Sequence, residues 1–310
     1  MSTSKFQNFV TKDFVYKTVN GHDLETTVCV PKDAAPGKHP VVIHWHGGCL
    51  INGDKMYEPW VATWLVQLTE SKSAIYVSPN YRLLPEATGK DIAEDMTAFY
   101  DWFKTSFADE VSKISPNVEA DLTQTLVAGE SAGGYLATQS ALRFPEINFK
   151  AVISQYGMID LEDRHYTEAY PKNLFGTPRV ESAVEDYLKT FKPGTIRSSA
   201  TDVDSTWMFV VEVMRQGRYL EFLGTDKNLF PMRLIDEAES LPPFWFISGK
   251  DDELVPIDGT ERFIAKIKEK HPETPFLYTL EPGPHGFDVG NVLSDAWVKQ
   301  GCEFLDKYWP

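Results

Sequence analysis

The run Leu122-Thr123-Gln124-Thr125-Leu126-Val127-Ala128-Gly129-Glu130-Ser131-Ala132-Gly133-Gly134 decides how this chain is read. Its apolar stretch up to Ala128 predicts a buried strand, and the small, largely apolar residues Ala132 to Leu142 predict a helix. Between them stands G-x-S-x-G. A serine on so tight a strand-to-helix turn is pushed out of the backbone with its hydroxyl exposed. Gly129 and Gly133 let the chain turn and let strand and helix pack closely. The helix N-terminus behind Ser131 offers free N–H groups and a positive dipole end, which favour a developing oxyanion. Glycine and serine are also common turn residues, so the motif alone is weak and needs partners elsewhere.

Outward from this turn, strands and helices alternate. Residues 9–19 and 23–30 read as antiparallel strands joined at Asn20-Gly21. Strands are expected at 41–46, 74–78, 122–128, 151–156, 244–248 and 276–280, and helices at 57–71, 91–107, 132–144, 258–270 and 288–308. The pattern predicts an α/β fold: a mostly parallel central sheet with an antiparallel N-terminal edge and helices on both faces. Residues 159–241 break the alternation and are too long for a loop. Helical spacing at 184–191 and 207–223 predicts a helical lid inserted between the sixth and seventh strands. The expected division is a core of 1–158 and 242–310 with a lid of 159–241.

With 30 Lys+Arg against 45 Asp+Glu the net charge is −15, which argues against nucleic acid and anionic membranes as partners. Cys29, Cys49 and Cys302 are too few and scattered for a disulfide framework, and no Cys/His cluster has zinc spacing. Neither a secretory leader nor a membrane-spanning run is read, so the expected setting is cytoplasmic. A homodimer is compatible with the sequence.

Functional residues of such a sheet belong on loops at the carboxyl ends of strands. Four blocks meet that condition: Ser131; Asp252, with Asp251 beside it; His285 in Gly283-Pro284-His285-Gly286-Phe287; and His46-Gly47-Gly48-Cys49. Their chemistry fits together. A histidine takes the serine proton and returns it to a leaving group, while a carboxylate fixes the imidazole tautomer. Small residues after His46 let backbone N–H groups approach an oxyanion, with the Ala132 N–H as the remaining donor.

These blocks, with Tyr81-Arg82-Leu83-Leu84-Pro85-Glu86, resemble the hormone-sensitive-lipase-like branch of α/β-hydrolase esterases. The resemblance runs from about residue 46 to 287. It implies an α/β-hydrolase fold and a carboxylic-ester hydrolase with no metal or organic cofactor. It also implies Ser131, Asp252 and His285 as the triad, and Gly48, Cys49 and Ala132 as oxyanion donors. The family spacing to Leu254-Val255 favours Asp252 over Asp251. Cys49 departs from the family's glycine, adding bulk near the acyl site at a position where cysteine tolerates positive φ poorly.

The expected partner is a small hydrophobic or aromatic ester or lactone. Met56, Tyr57, Trp207, Met214 and Phe287 are the candidate pocket residues. An arylformamidase-like amidase, an acyl-transferring or lactone-opening tailoring enzyme, and a noncatalytic receptor on the same fold are the alternatives. His44 and His46 share a strand face but lack a third ligand, so a role in holding the oxyanion loop is expected rather than metal binding. His22, His39, His165 and His271 are expected to be exposed. Glu130, and Tyr81, Arg82 and Glu86, are expected to be structural.

Overall fold

The computed structural model describes residues 4–192 and 194–310. Its sheet is built from β1 (Phe9–Val19), β2 (His22–Pro31), β3 (Gly37–Trp45), β4 (Ile75–Pro79), β5 (Val118–Glu130), β6 (Ala151–Gln155), β7 (Phe244–Gly249) and β8 (Phe276–Glu281). The spatial order is β1-β2-β4-β3-β5-β6-β7-β8. β1 pairs antiparallel with β2 and β2 antiparallel with β4, while the remaining pairs are parallel. The first hairpin turns at Asn20 and Gly21, with φ of 50° and 81°, the left-handed pair that Asn-Gly supplies at low cost.

The strand period of two divides the core into two layers. Val41, Ile43, Trp45, Val127, Phe244 and Phe246 point to one face. Val42, Leu126, Ala128, Ile153, Trp245 and Ile247 point to the other. The second face is covered by α1 (Thr63–Ser71) and α11 (Ala296–Leu305). Trp245 stacks 5.1 Å from Trp64 and lies so close to Gly301 that a Cβ there would fall 1.8 Å from the indole.

The first face carries α2 (Gly89–Thr105), α3 (Phe107–Ile114) and α4 (Ala132–Arg143). Thr88 and Asp91 form a reciprocal capping box at the start of α2. Arg82 bonds Asp95 at 2.9 Å and Asp91 at 2.8 Å, so the block after β4 is anchored to this helix. α10 (Ile257–Lys270) also packs its Phe263, Ile264 and Ile267 into this layer.

Between β6 and β7 the chain forms α5 (Arg164–Thr167), α6 (Ala183–Thr190), α7 (Val203–Arg215), α8 (Tyr219–Leu223) and α9 (Pro231–Leu234). The expected helix at 207–223 is two helices, because Gly217 takes φ +66° and passes 2.5 Å from the Glu168 backbone, counted from the Cβ it lacks. The first helix begins at Thr63, not at residue 57, and residues 54–61 fold as turns. The last helix begins at Ala296, not 288, since Asp288 is held in a buried loop. No helix among the described residues is long and apolar enough to cross a membrane.

Gly133→Ala would set a Cβ 1.9 Å from the Trp45 carbonyl oxygen. Urea unfolding is expected to show a loss of at least about 3 kcal/mol for this overpacked backbone contact. Gly290→Ala, with nothing within 4 Å of the new Cβ, is expected to stay within about 0.5 kcal/mol of the parent protein.

Candidate active site

Ser131 caps α4 with φ 57° and ψ −118°, a conformation L-residues rarely adopt. The surroundings over-determine it. Its N–H donates to Gln155 O at 2.8 Å, and its carbonyl accepts from Tyr135 and Met158 N–H, each at 3.2 Å. A Cβ on Gly129 would meet Gly133 at 2.3 Å, so the strand and helix meet only where side chains are absent. Strain held this way is found where a site is pre-organised.

His285 follows β8 and Asp252 follows β7. His285 Nδ1 lies 2.7 Å from Asp252 Oδ2, while Asp252 Oδ1 accepts from the N–H groups of Leu254 and Val255 at 2.9 and 2.8 Å. Both carboxylate oxygens are thus fixed. Asp251 instead accepts from Gly283 N–H at 3.1 Å on the exposed side. Tyr156 sets its ring edge-on 4.6 Å from His285 and donates its hydroxyl to Asp288 at 2.9 Å. Asp288 also accepts from Gln155 at 2.7 Å and Trp64 at 3.0 Å. Burial pushes this carboxyl above the ordinary carboxylate range, against the pull of its three donors.

The loop after β3 runs through left-handed backbone: Gly48 at φ 104°, Cys49 at 56° and Leu50 at 59°. Glu130 holds it from below, accepting from Gly47 N–H at 2.8 Å and pairing with His44 Nε2 at 2.6 Å. His46 stacks on Tyr81 at 4.3 Å, and the Tyr81 hydroxyl donates to His46 O at 2.8 Å. The segment between β6 and β7 holds the loop from the other side. Tyr219 donates to Cys49 O at 2.8 Å, Thr206 to Asn52 Oδ1 at 2.5 Å, and Gly53 pairs with Ala200. No hydrogen bond among the described residues engages the N–H of Gly48, Cys49 or Ala132. Burial, reinforced by Asp252, pushes the Cys49 thiol up to about 12, so it stays protonated and is a poor nucleophile.

Ser131, His285, Gly48 and Cys49 open on one cavity of about 690 Å³, part of it open to solvent. Trp207 lines it as the sequence suggests. Met56, Tyr57, Met214 and Phe287 do not line it. Met214 is fully buried in the core, Tyr57 turns its ring against Trp60, and Phe287 packs on Trp297. Met56 borders a separate polar hollow near the N-terminus.

The wall residues that sequence reasoning missed include Asn52, Trp60, Tyr156, Phe175, Val203 and Val210. Only Val203 and Val210 carried a signal, lying at helical spacing from Trp207. Phe175, at φ 55° and 41% exposed, stands at the mouth 5.7 Å from the Trp207 ring. Glu253 ties it there, accepting from Phe175 N–H and Asn173 Nδ2, each at 2.8 Å. Glu86, expected to be structural, pairs at 3.1 Å with Arg197 of the segment between β6 and β7. His39 and His165 are buried rather than exposed. His39 bonds two carbonyls at 2.7 Å, and His165 packs edge-on to Tyr166. Among the described residues no three His, Cys, Asp or Glu side chains are grouped to hold a metal ion.

The family model described as alpha/beta hydrolase fold matches residues 42–288. A probable carboxylesterase M8 of Phoma sp. is 35% identical over 316 residues, spanning 99% of this chain and 98% of that one. Among solved structures, a protein of unknown function from Staphylococcus aureus superposes with a TM-score of 0.68 at 17% identity, over 96% of this chain and 99% of that one. Esterase B from Lactobacillus rhamnosis does so with a TM-score of 0.61 at 17% identity, over 97% and 85%. At those identities the two structures speak for the fold alone.

Burial lowers the pKa of His46 and of His165 from 6.5 to about 4. The unfolded chain therefore binds more protons than the folded one below about pH 6.5, and stability falls as pH drops from there towards 4. At pH 5 each histidine is expected to cost up to about 2 kcal/mol relative to neutral pH. Urea midpoints at pH 7.5 and 5 measure the loss, and His165→Gln should reduce it.

Proposed function

The chain belongs to the alpha/beta hydrolase family, and on that premise we propose that it is a serine-dependent carboxylic ester hydrolase acting on a small hydrophobic or aromatic ester or lactone. The observation that carries this reading is the opening of a strained Ser131 and an Asp252-bound His285 onto one cavity beside unengaged backbone N–H groups. The full-length similarity to a probable carboxylesterase supports it.

Ser131 Oγ attacks the ester carbonyl carbon as His285 Nε2 removes its proton. Asp252 holds Nδ1–H and stabilises the imidazolium. The carbonyl oxygen becomes an oxyanion facing the N–H groups of Gly48, Cys49 and Ala132, which are aimed at charge that exists only in the transition state. Collapse breaks the C–O bond, and His285 returns the proton to the departing alkoxide oxygen. Water, deprotonated by His285, then attacks the acyl-enzyme and frees the acid and Ser131.

Substrate class follows from the walls. Trp60, Trp207, Phe175 and Tyr156 give aromatic surface, and no Lys or Arg lines the cavity among the described residues. A neutral, apolar ester fits better than one bearing a carboxylate. Residues 159–241 act as the lid, supplying Phe175, Val203, Trp207 and Val210.

A fluorophosphonate probe should label the folded protein at Ser131, and Ser131→Ala should abolish labelling. An unlabelled parent protein would sink the reading. Asp252→Asn is expected to lower kcat by on the order of 10³–10⁴, since the wrong tautomer is then favoured. Gly48→Ala would bring a Cβ within 2.1 Å of Asn52 O at a φ of +104°. Displacing that donor should cost at least about 10² in kcat on p-nitrophenyl esters.

A further inference from the structure

Asn52 is a buried amide in a wall made largely of aromatic and aliphatic carbon. It is 2% exposed and lines the cavity with Trp60, Val203, Trp207 and Val210. It is the one side-chain amide among the described lining residues. Its backbone N–H donates to Gly48 O at 2.8 Å, within the same turn that presents the Gly48 and Cys49 N–H groups.

The orientation of the amide is set by Thr206, whose hydroxyl donates to Asn52 Oδ1 at 2.5 Å. Thr206, buried on the lid helix α7, also lies 3.3 Å from Val203 O, but its single proton serves the closer acceptor. Nδ2 is left with two N–H donors and no partner among the described residues, and it is not sealed inside the protein. On a residue this buried, the space open to Nδ2 is the cavity.

We infer that Asn52 is a specificity-determining residue: locked by Thr206, its amide donates to an uncharged oxygen carried by the substrate a few atoms from the scissile ester. The inference rests on the ester-hydrolase reading and narrows it. The preferred substrate is an apolar ester bearing a hydroxyl or keto group, either on the acyl or on the alcohol portion. A ligand without that oxygen leaves a donor unpaired in an apolar pocket, and such sites discriminate strongly against the deoxy analogue. A carboxylate is not served, because no Lys or Arg among the described residues lines the cavity.

Two substrate pairs test this and separate the two portions. One is p-nitrophenyl butyrate against p-nitrophenyl β-hydroxybutyrate; the other is butyl acetate against its β-hydroxybutyl counterpart. The parent protein should favour the hydroxylated member of at least one pair by about tenfold or more in kcat/KM. Asn52→Leu removes the amide and should bring the ratio to about one or below. Asn52→Asp keeps the Thr206 contact while replacing the donor by an acceptor; a hydroxyl can donate to that acceptor, so this variant is read on the β-keto analogues of the same esters, which only accept, and there its ratio should fall to about one or below. Thr206→Val frees the amide to turn and should lower the ratio in part. Unfolding midpoints establish that each variant is folded, and the aspartate variant carries the test if the leucine variant is not. A parent ratio near one in both pairs overturns the inference while leaving the ester-hydrolase reading intact. So does an equal loss on both members of the pair in the Asn52 variants, which would make Asn52 only a brace for the loop. No turnover of any of the four esters, together with no fluorophosphonate adduct, would overturn the hydrolase reading itself.

Discussion

The carboxylate of Glu130 joins the two halves of the site. Its chain neighbour is Ser131, and its two oxygens bond Gly47 N–H and His44 Nε2 on and after β3. One side chain thus sets the distance between the serine turn and the left-handed loop. Taking a carboxylate out of water is costly, and a buried ionic contact is weak grounds for stability. Its value lies in geometry. Two backbone segments from different strands, each strained, are kept at one separation by bonds that neither can relax without stranding a buried polar group.

The same loop is gripped from the opposite side by the helical segment between β6 and β7. Tyr219, Thr206 and Ala200 bond three successive parts of it, at Cys49, Asn52 and Gly53. These contacts explain how Cys49 and Leu50 persist at positive φ without glycine's freedom. The segment between β6 and β7 is in this sense part of the support of the left-handed loop. Glu212 accepts from Val180 N–H and Arg215 donates to Pro178 O, each at 3.0 Å, which ties α7 to the stretch before α6.

The sheet and the four loop blocks were legible because both obey short-range rules. Strands along the parallel core read as apolar runs, and each reactive block follows a strand. The pocket was not legible in the same way. Val203, Trp207, Val210 and Met214 form one stripe on α7, and periodicity identifies the stripe but not where the cavity along it ends. Met214 therefore falls in the core while Trp207 meets open space. Trp60 sits in turns with no period, and Phe175 reaches the mouth only through a left-handed backbone. His165 is a polar residue buried by tertiary packing that its neighbours in sequence do not announce. Asn52 and Asp288 show the same limit: a buried amide or carboxylate is recognised by its partners, and those partners lie far along the chain.

Glu253 has a consequence for how this protein could change over generations. It stands next to Asp252 and also carries the strap bearing Asn173 and Phe175. The loop carrying Asp252 and the strap at the cavity mouth are therefore one mechanical part. Asn173, Phe175 and Gly176 are exposed, with Leu174 buried between them, and would look like a free surface for altering which molecules are accepted. Changes there pull on the backbone that carries Asp252, and so on its contact with His285. Substitutions at Trp207 and Val210 of α7 touch the cavity wall without this linkage, so the wall can vary there while the Asp252–His285 contact is kept.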